Sequence, residues 1–268
     1  MTIKLRETLY RLFFILSIAS LLSALLSSML VINISSIERF RLYFYSEKNI
    51  WNFYTIFFTA LCIGIFSCVV LAFVSLNSRR TVSLEIFFFA LWTLCQSLEI
   101  SKVFIVIAAI KGAGSNVFDL ITRIAMFGRY FGSLALFIGS LFASGLKQDK
   151  TVFFVWAILI ISLLFATAQP LNSVGPGADL LADRGFPYRI VILDISIALL
   201  ALVNYLISWY SNKEKVYLHA GFSSFLVQIA ILLLKSSDLP WLSLLLLPLL
   251  AFGAYNFITN LHSYYLWR

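Results

Sequence analysis

Long apolar stretches alternate with short polar breaks along the whole chain. A helix needs about 20 mostly apolar residues to cross a bilayer. Eight stretches approach or exceed that length: 9–33, 51–76, 82–110, 116–145, 151–168, 188–210, 216–234 and 239–262. The breaks have the chemistry of helix ends. Asn77-Ser78-Arg79-Arg80, Gly112-Ala113-Gly114-Ser115, Lys147-Gln148-Asp149-Lys150, Ser211 to Lys215 and Ser236-Ser237-Asp238 fall between spans, and Pro240 suits the first turn of the last helix. Membrane strands are the rival assignment, but they run about 10 residues and alternate apolar with polar. These runs are continuous and mostly about twice that length, so the pattern predicts an all-α, polytopic membrane helix bundle of about eight spans in one domain, 1–268.

Composition sharpens this reading. Of 268 residues, 61% are hydrophobic and only 12% charged, with a mean hydropathy of +0.95. A soluble domain carries about 25% charged residues. The surface therefore needs lipid as its solvent. The net charge of +8 would raise the question of nucleic acid in a soluble protein, but the basic residues are spread over short loops with no cluster beyond Arg79-Arg80. They read as topology determinants, and no nucleic-acid partner is expected.

With the N-terminus inside, ten Lys and Arg fall in cytoplasmic segments: Lys4, Arg6, Arg11, Arg79, Arg80, Lys147, Lys150, Lys213, Lys215 and Arg268. Seven fall outside: Arg39, Arg41, Lys48, Lys111, Arg184, Arg189 and Lys235. The excess predicts both ends in the cytoplasm of a plasma (inner) membrane protein. The 21-residue run Leu12 to Ile32 is long for a signal peptide and has no A-x-A site after it, so it reads as a retained span. The last span nearly reaches the final residue, so no attached output domain is expected.

Ionisable residues inside spans are the informative ones, since a charge at a helix centre is expensive in lipid. Span three carries Gln96, Glu99 and Lys102 on one broad face. Span four carries Asp119 and Arg123 at i, i+4, with Tyr130 on the same side and Arg129 turned roughly 120° from Arg123. Span six carries Asp194, Asn204 and Ser208 on a stripe through Ile197 and Ala201. Counting ~1.5 Å per residue from the short outer loop puts Arg123 at ~12 Å, Lys102 at ~13 Å, Glu99 at ~18 Å and Arg129 at ~21 Å of depth. Asp119 comes out at ~6 Å and Asp194 at ~9 Å. The expectation is one ionic cluster in the outer half of the membrane, made of Glu99, Asp119 and Asp194 against Lys102, Arg123 and Arg129. It is either a register-fixing network or a ligand, ion or proton site. If Glu99 and Arg129 pair, exchanging their charges should rescue the single reversals.

Gly128 and Gly132 give a GxxxG spacing, followed by Gly139 and Ala143, and mark span four as closely packed. Spans two and five have no charge and read as lipid-facing walls. His219 and His262, the two histidines, lie near the inner boundary, and Pro248 predicts a kink in span eight. The outer loop 169–187 reads as a connector, with a short amphipathic turn at 178–184 placing Asp179 and Asp183 where they could lid the cluster. Cys62, Cys68 and Cys95 sit in apolar stretches without metal spacing and read as small core residues.

No catalytic motif stands out. H-E-x-x-H, P-loop, G-x-G-x-x-G and G-x-S-x-G are absent, and a serine in the G-A-G-S loop would lie on the opposite side from both histidines. The sequence predicts a non-enzyme without a cofactor, partnered by the lipid bilayer, by a small-molecule or ion ligand, and by a membrane or cytoplasmic protein. A sensor or receptor acting through that partner is the leading reading. A small-solute, ion or lipid transporter or permease subunit is the alternative, and a structural subunit of a membrane complex the third.

Overall fold

The computed structural model describes residues 3–31, 50–77, 83–176, 179–185, 187–236 and 240–266. Arg79-Arg80, Ser237-Asp238 and nearly all of the first outer loop, with Arg39, Arg41 and Lys48, lie outside the described residues. The spans are helices: α1 (Ile3–Val31), α2 (Ile50–Asn77), α3 (Leu84–Ser97) continued by α4 (Ser101–Ile110), α5 (Ser115–Ala143), α6 (Thr151–Ala168), α7 (Pro187–Asn212), α8 (Lys215–Ser236) and α9 (Pro240–Leu266). Eight are long and apolar enough to cross a membrane once α3 and α4 are taken as one. The fold is an all-α bundle with one small two-stranded hairpin.

Local chemistry explains the ends. Ser83 caps α3, its hydroxyl accepting from the Ile86 N–H at 3.2 Å, and Glu85 sits in the first turn, where the helix dipole favours an acid. Gly112 and Gly145 take positive φ, 64° and 103°, at the turns that end spans three and four. Helix α1 begins six residues before the expected boundary and carries Arg6 into the protein, where it is buried. Helix α9 continues as helix through Pro248.

Spans three and four form the centre and are the most buried; spans one, five and six are the least buried. Leu12, Ile15, Phe153, Trp156, Leu163 and Leu200 show apolar surface that would be costly in water. The expected wall role fits span five. Span two departs from it, because half of its most apolar stretch is buried. Lack of charge permits lipid contact without requiring it, and Ile63, Leu71 and Val74 face the protein core instead.

Span three changes helix type midway. Leu98–Ile100 form a single 3₁₀ turn between α3 and α4. The turn sits where both neighbours are glycine. A Cβ on Gly128 of span four would meet the Cys95 carbonyl and Leu98 Cδ1, each at 3.0 Å, and one on Gly132 would meet Gln96 Nε2 at 3.2 Å. A Cβ on Gly64 of span two would collide with the Ile100 side chain. The GxxxG row thus brings span four against the irregular turn of span three.

The loop 169–187 departs from the expected connector. Strands β1 (Leu171–Pro176) and β2 (Ala182–Arg184) pair antiparallel, with Leu171 opposite Arg184. The expected amphipathic turn departs from that character because Leu180, Leu181 and Ala182 are all buried, Leu180 and Leu181 joining Ala109, Phe118, Met126 and Ala166 in an apolar cluster. The Ala182 N–H donates to Thr122 Oγ1 at 3.0 Å, tying the hairpin to span four.

Candidate functional site

Glu99 lies at the 3₁₀ turn, almost fully buried, and three cations converge on its carboxylate. Arg129 from span four donates Nε–H to Oε1 at 2.6 Å and Nη2–H to Oε2 at 3.1 Å, a two-pronged contact. Lys102 Nζ lies 3.2 Å from Oε2 and Lys235 Nζ, from the end of span seven, 3.2 Å from Oε1. Asp179 of the hairpin approaches Arg129 from above, Oδ2 to Nη1 at 3.8 Å. Asp194 of span six accepts from Ser133 Oγ at 2.7 Å and lies within electrostatic range of Arg129 and Lys235. The charges balance, with Arg129, Lys102 and Lys235 against Glu99, Asp179 and Asp194.

A small cavity adjoins the network at the meeting of spans three, four, six and seven. It holds about 20 Å³ and is lined by Trp92, Gln96, Arg129, Ser133, Asp194 and Lys235 among others. That is room for about one water-sized species. Gln228 of span seven lines it too. Its buried Nε2 and the buried Oε1 of Gln96 have no hydrogen-bond partner among the described residues.

Of the residues singled out by sequence, Gln96, Glu99, Lys102, Arg129 and Asp194 come together. The rest do not. Arg123 leaves Asp119 and donates to the Ala166 and Thr167 carbonyls at 2.9 and 2.6 Å, capping the end of span five. This corrects the expected i, i+4 pair, because the last carbonyls of a helix are unpaired acceptors with partial negative charge. Asp119 is half-buried at the edge, its Oδ1 without a hydrogen bond. The Tyr130 hydroxyl donates to Gln169 Oε1 at 3.2 Å, and Asn204 Nδ2 donates to Ser140 Oγ at 3.0 Å, deeper along span four.

Sequence reasoning missed Lys235, assigned to an outer loop, and Ser133, and it left the polar Gln228 of span seven out of the cluster. The available signal was spacing: Gln228 and Lys235 are seven apart, on one face of span seven. It also missed Glu85, in the first turn of span three. That buried carboxylate accepts from Ser83 Oγ and from the Tyr265 hydroxyl, both at 2.8 Å. Between Glu85 and Glu99 lies an aromatic layer of Phe88, Phe89, Trp92 and Phe257, all fully buried, with Phe89 stacked on Phe257 at 4.5 Å.

Fold and site together define a multi-pass, membrane-type helical bundle with a charged interior near one end. No family model, no curated protein and no solved structure matches the chain.

Proposed function

We propose that this is a receptor- or sensor-type membrane protein that admits a small polar ligand from the hairpin side and signals its occupancy through a partner protein. One observation carries the reading: a small chamber with polar groups is lined by Arg129, which Asp179 of the hairpin reaches at 3.8 Å, and by Trp92 of the aromatic layer. Gln96 Oε1 and Gln228 Nε2, each without a partner among the described residues, support a binding role, since buried polar atoms are ordinarily satisfied. The Lys and Arg distribution supports placing the hairpin outside and both termini in the cytoplasm of a plasma membrane. With Lys235 and Arg6 both turned inward, the counts become six outer against nine inner. The reading is of a binding protein rather than an enzyme.

A transporter would use the same chamber but must open it to each side in turn. The packed rings of Phe88, Phe89, Trp92 and Phe257 would have to part. The structural-subunit reading draws on the balanced charges, which would hold helix register without any ligand. Accessibility separates receptor from transporter. In a background lacking Cys62, Cys68 and Cys95, Ser133→Cys is treated with an impermeant thiol reagent in vesicles of either orientation. The receptor reading expects labelling from the hairpin side only, under all conditions. Labelling from both sides overturns it in favour of transport.

A further inference from the structure

Two side chains of the chamber are polar, deeply buried and unsatisfied. Gln96 of span three is 2% exposed and Gln228 of span seven 6%. Both line the cavity, and Gln96 Oε1 and Gln228 Nε2 have no hydrogen-bond partner among the described residues. One is an acceptor lacking a donor, and the other is a donor lacking an acceptor. They are complementary, yet they do not bond each other. A buried polar atom left in that state costs its full desolvation penalty. The same lining carries Ser133, which donates to Asp194 Oδ1 and keeps lone pairs of its own, and Lys235, whose ammonium has three N–H groups.

We propose that the chamber is a built site for a single water molecule, which donates to Gln96 Oε1, accepts from Gln228 Nε2 and so bridges spans three and seven. Size agrees. The cavity holds about 20 Å³. One water needs roughly 10–15 Å³ of such space and about two to four polar partners. The chemistry of the two amides excludes an ion. A cation answers only the carbonyl oxygen and an anion only the amide N–H, so either leaves one atom of the pair unsatisfied. Either would also upset the balance of Arg129, Lys102 and Lys235 against Glu99, Asp179 and Asp194. Water carries donors and acceptors on one heavy atom. The lining offers Asp194, Ser133 and Lys235 to its second hydrogen and second lone pair.

The site is the chamber of the receptor reading, and the water is what a ligand entering it must displace. A group that cannot replace both bonds loses affinity by displacing an ordered water. The inference itself holds equally for a protein that signals and for one that transports.

The test is radiolytic labelling of the full chain in lipid nanodiscs. A short X-ray pulse turns water into hydroxyl radicals, and mass spectrometry reads the oxygen added to each side chain. Trp92 lines the chamber and is only 1% exposed, so radicals from bulk water do not reach it. It should nonetheless be labelled, alongside the 84% exposed Tyr210 as positive control. Gln96→Met combined with Gln228→Met keeps the side-chain lengths and removes both amides. Labelling of Trp92 should then fall at least about tenfold, because two hydrogen bonds to the water are lost and apolar cavities stay dry, while Tyr210 is unchanged. Absence of label on wild-type Trp92 would overturn the proposal without recourse to any variant. So would labelling of Trp92 that persists in the double variant. A thermal midpoint that shifts when gluconate replaces chloride, or choline replaces sodium, and no longer shifts in Gln96→Met, would assign the site to an ion instead. Two-sided labelling of Ser133→Cys would sink the receptor reading and leave the water in place.

Discussion

At the scale of single residues the network turns on an asymmetry: one carboxylate serves three cations. Removing one partner of a buried ion pair is far more damaging than the pair is helpful, because the remaining charge stays buried and unpaired. Glu99→Gln should therefore destabilise the protein by about 3–5 kcal/mol, read by unfolding in bicelles. A loss under about 1 kcal/mol, the range of exposed pairs, would mean that the network is solvated. The same geometry revises the charge-exchange expectation. An arginine at position 99 would face Lys102 and Lys235 whatever stood at position 129, so Glu99→Arg with Arg129→Glu should remain as unstable as Glu99→Arg alone. Restoration to near wild-type stability would show that the lysines do not share the carboxylate.

At the scale of elements the site depends on how closely span four approaches the 3₁₀ turn. Gly128→Val should push Cys95 and Leu98 away and lower stability by about 1–3 kcal/mol, as overpacking does. Gly114→Ser is the matched control. A Cβ there meets nothing within 4 Å and serine is a good N-cap, so a change within about 0.5 kcal/mol is expected. Equal effects at both positions would contradict the close approach. Elements are also where the sequence was most legible. Helix length and the breaks located every span, because lipid forces backbone satisfaction within each segment. The Glu99 and Arg129 heights, from rise per residue alone, anticipated a contact across two helices. Spacing cannot show which way a long side chain turns, however. Arg123 was drawn to the carbonyl end of span five and not to Asp119, and Lys235 folded inward from a helix end. The hairpin was illegible for a related reason: its inward leucines are buried only because Phe118, Met126 and Ala166 supply a distant apolar surface.

Across the whole molecule, buried charge is concentrated at two levels of span three, its first turn and its midpoint, kept apart by packed aromatic rings. Glu85 with Tyr265 joins spans three and eight at one level, and Glu99 joins spans three, four and seven at the other. Helix register is thereby fixed at both levels, since a one-residue slip would strand a buried charge. Most other interior contacts are apolar and cannot specify partners in this way, because lipid is as apolar as the core. The central claim is that side chains remote in sequence share one interior chamber. It is tested most directly by a double-mutant cycle between Glu99→Gln and Lys235→Met, residues on different spans whose charged atoms lie 3.2 Å apart. The account predicts a coupling of about 1–3 kcal/mol in bicelles, as for charges in direct contact. Additivity within about 0.5 kcal/mol would place the two residues in separate environments and contradict the chamber.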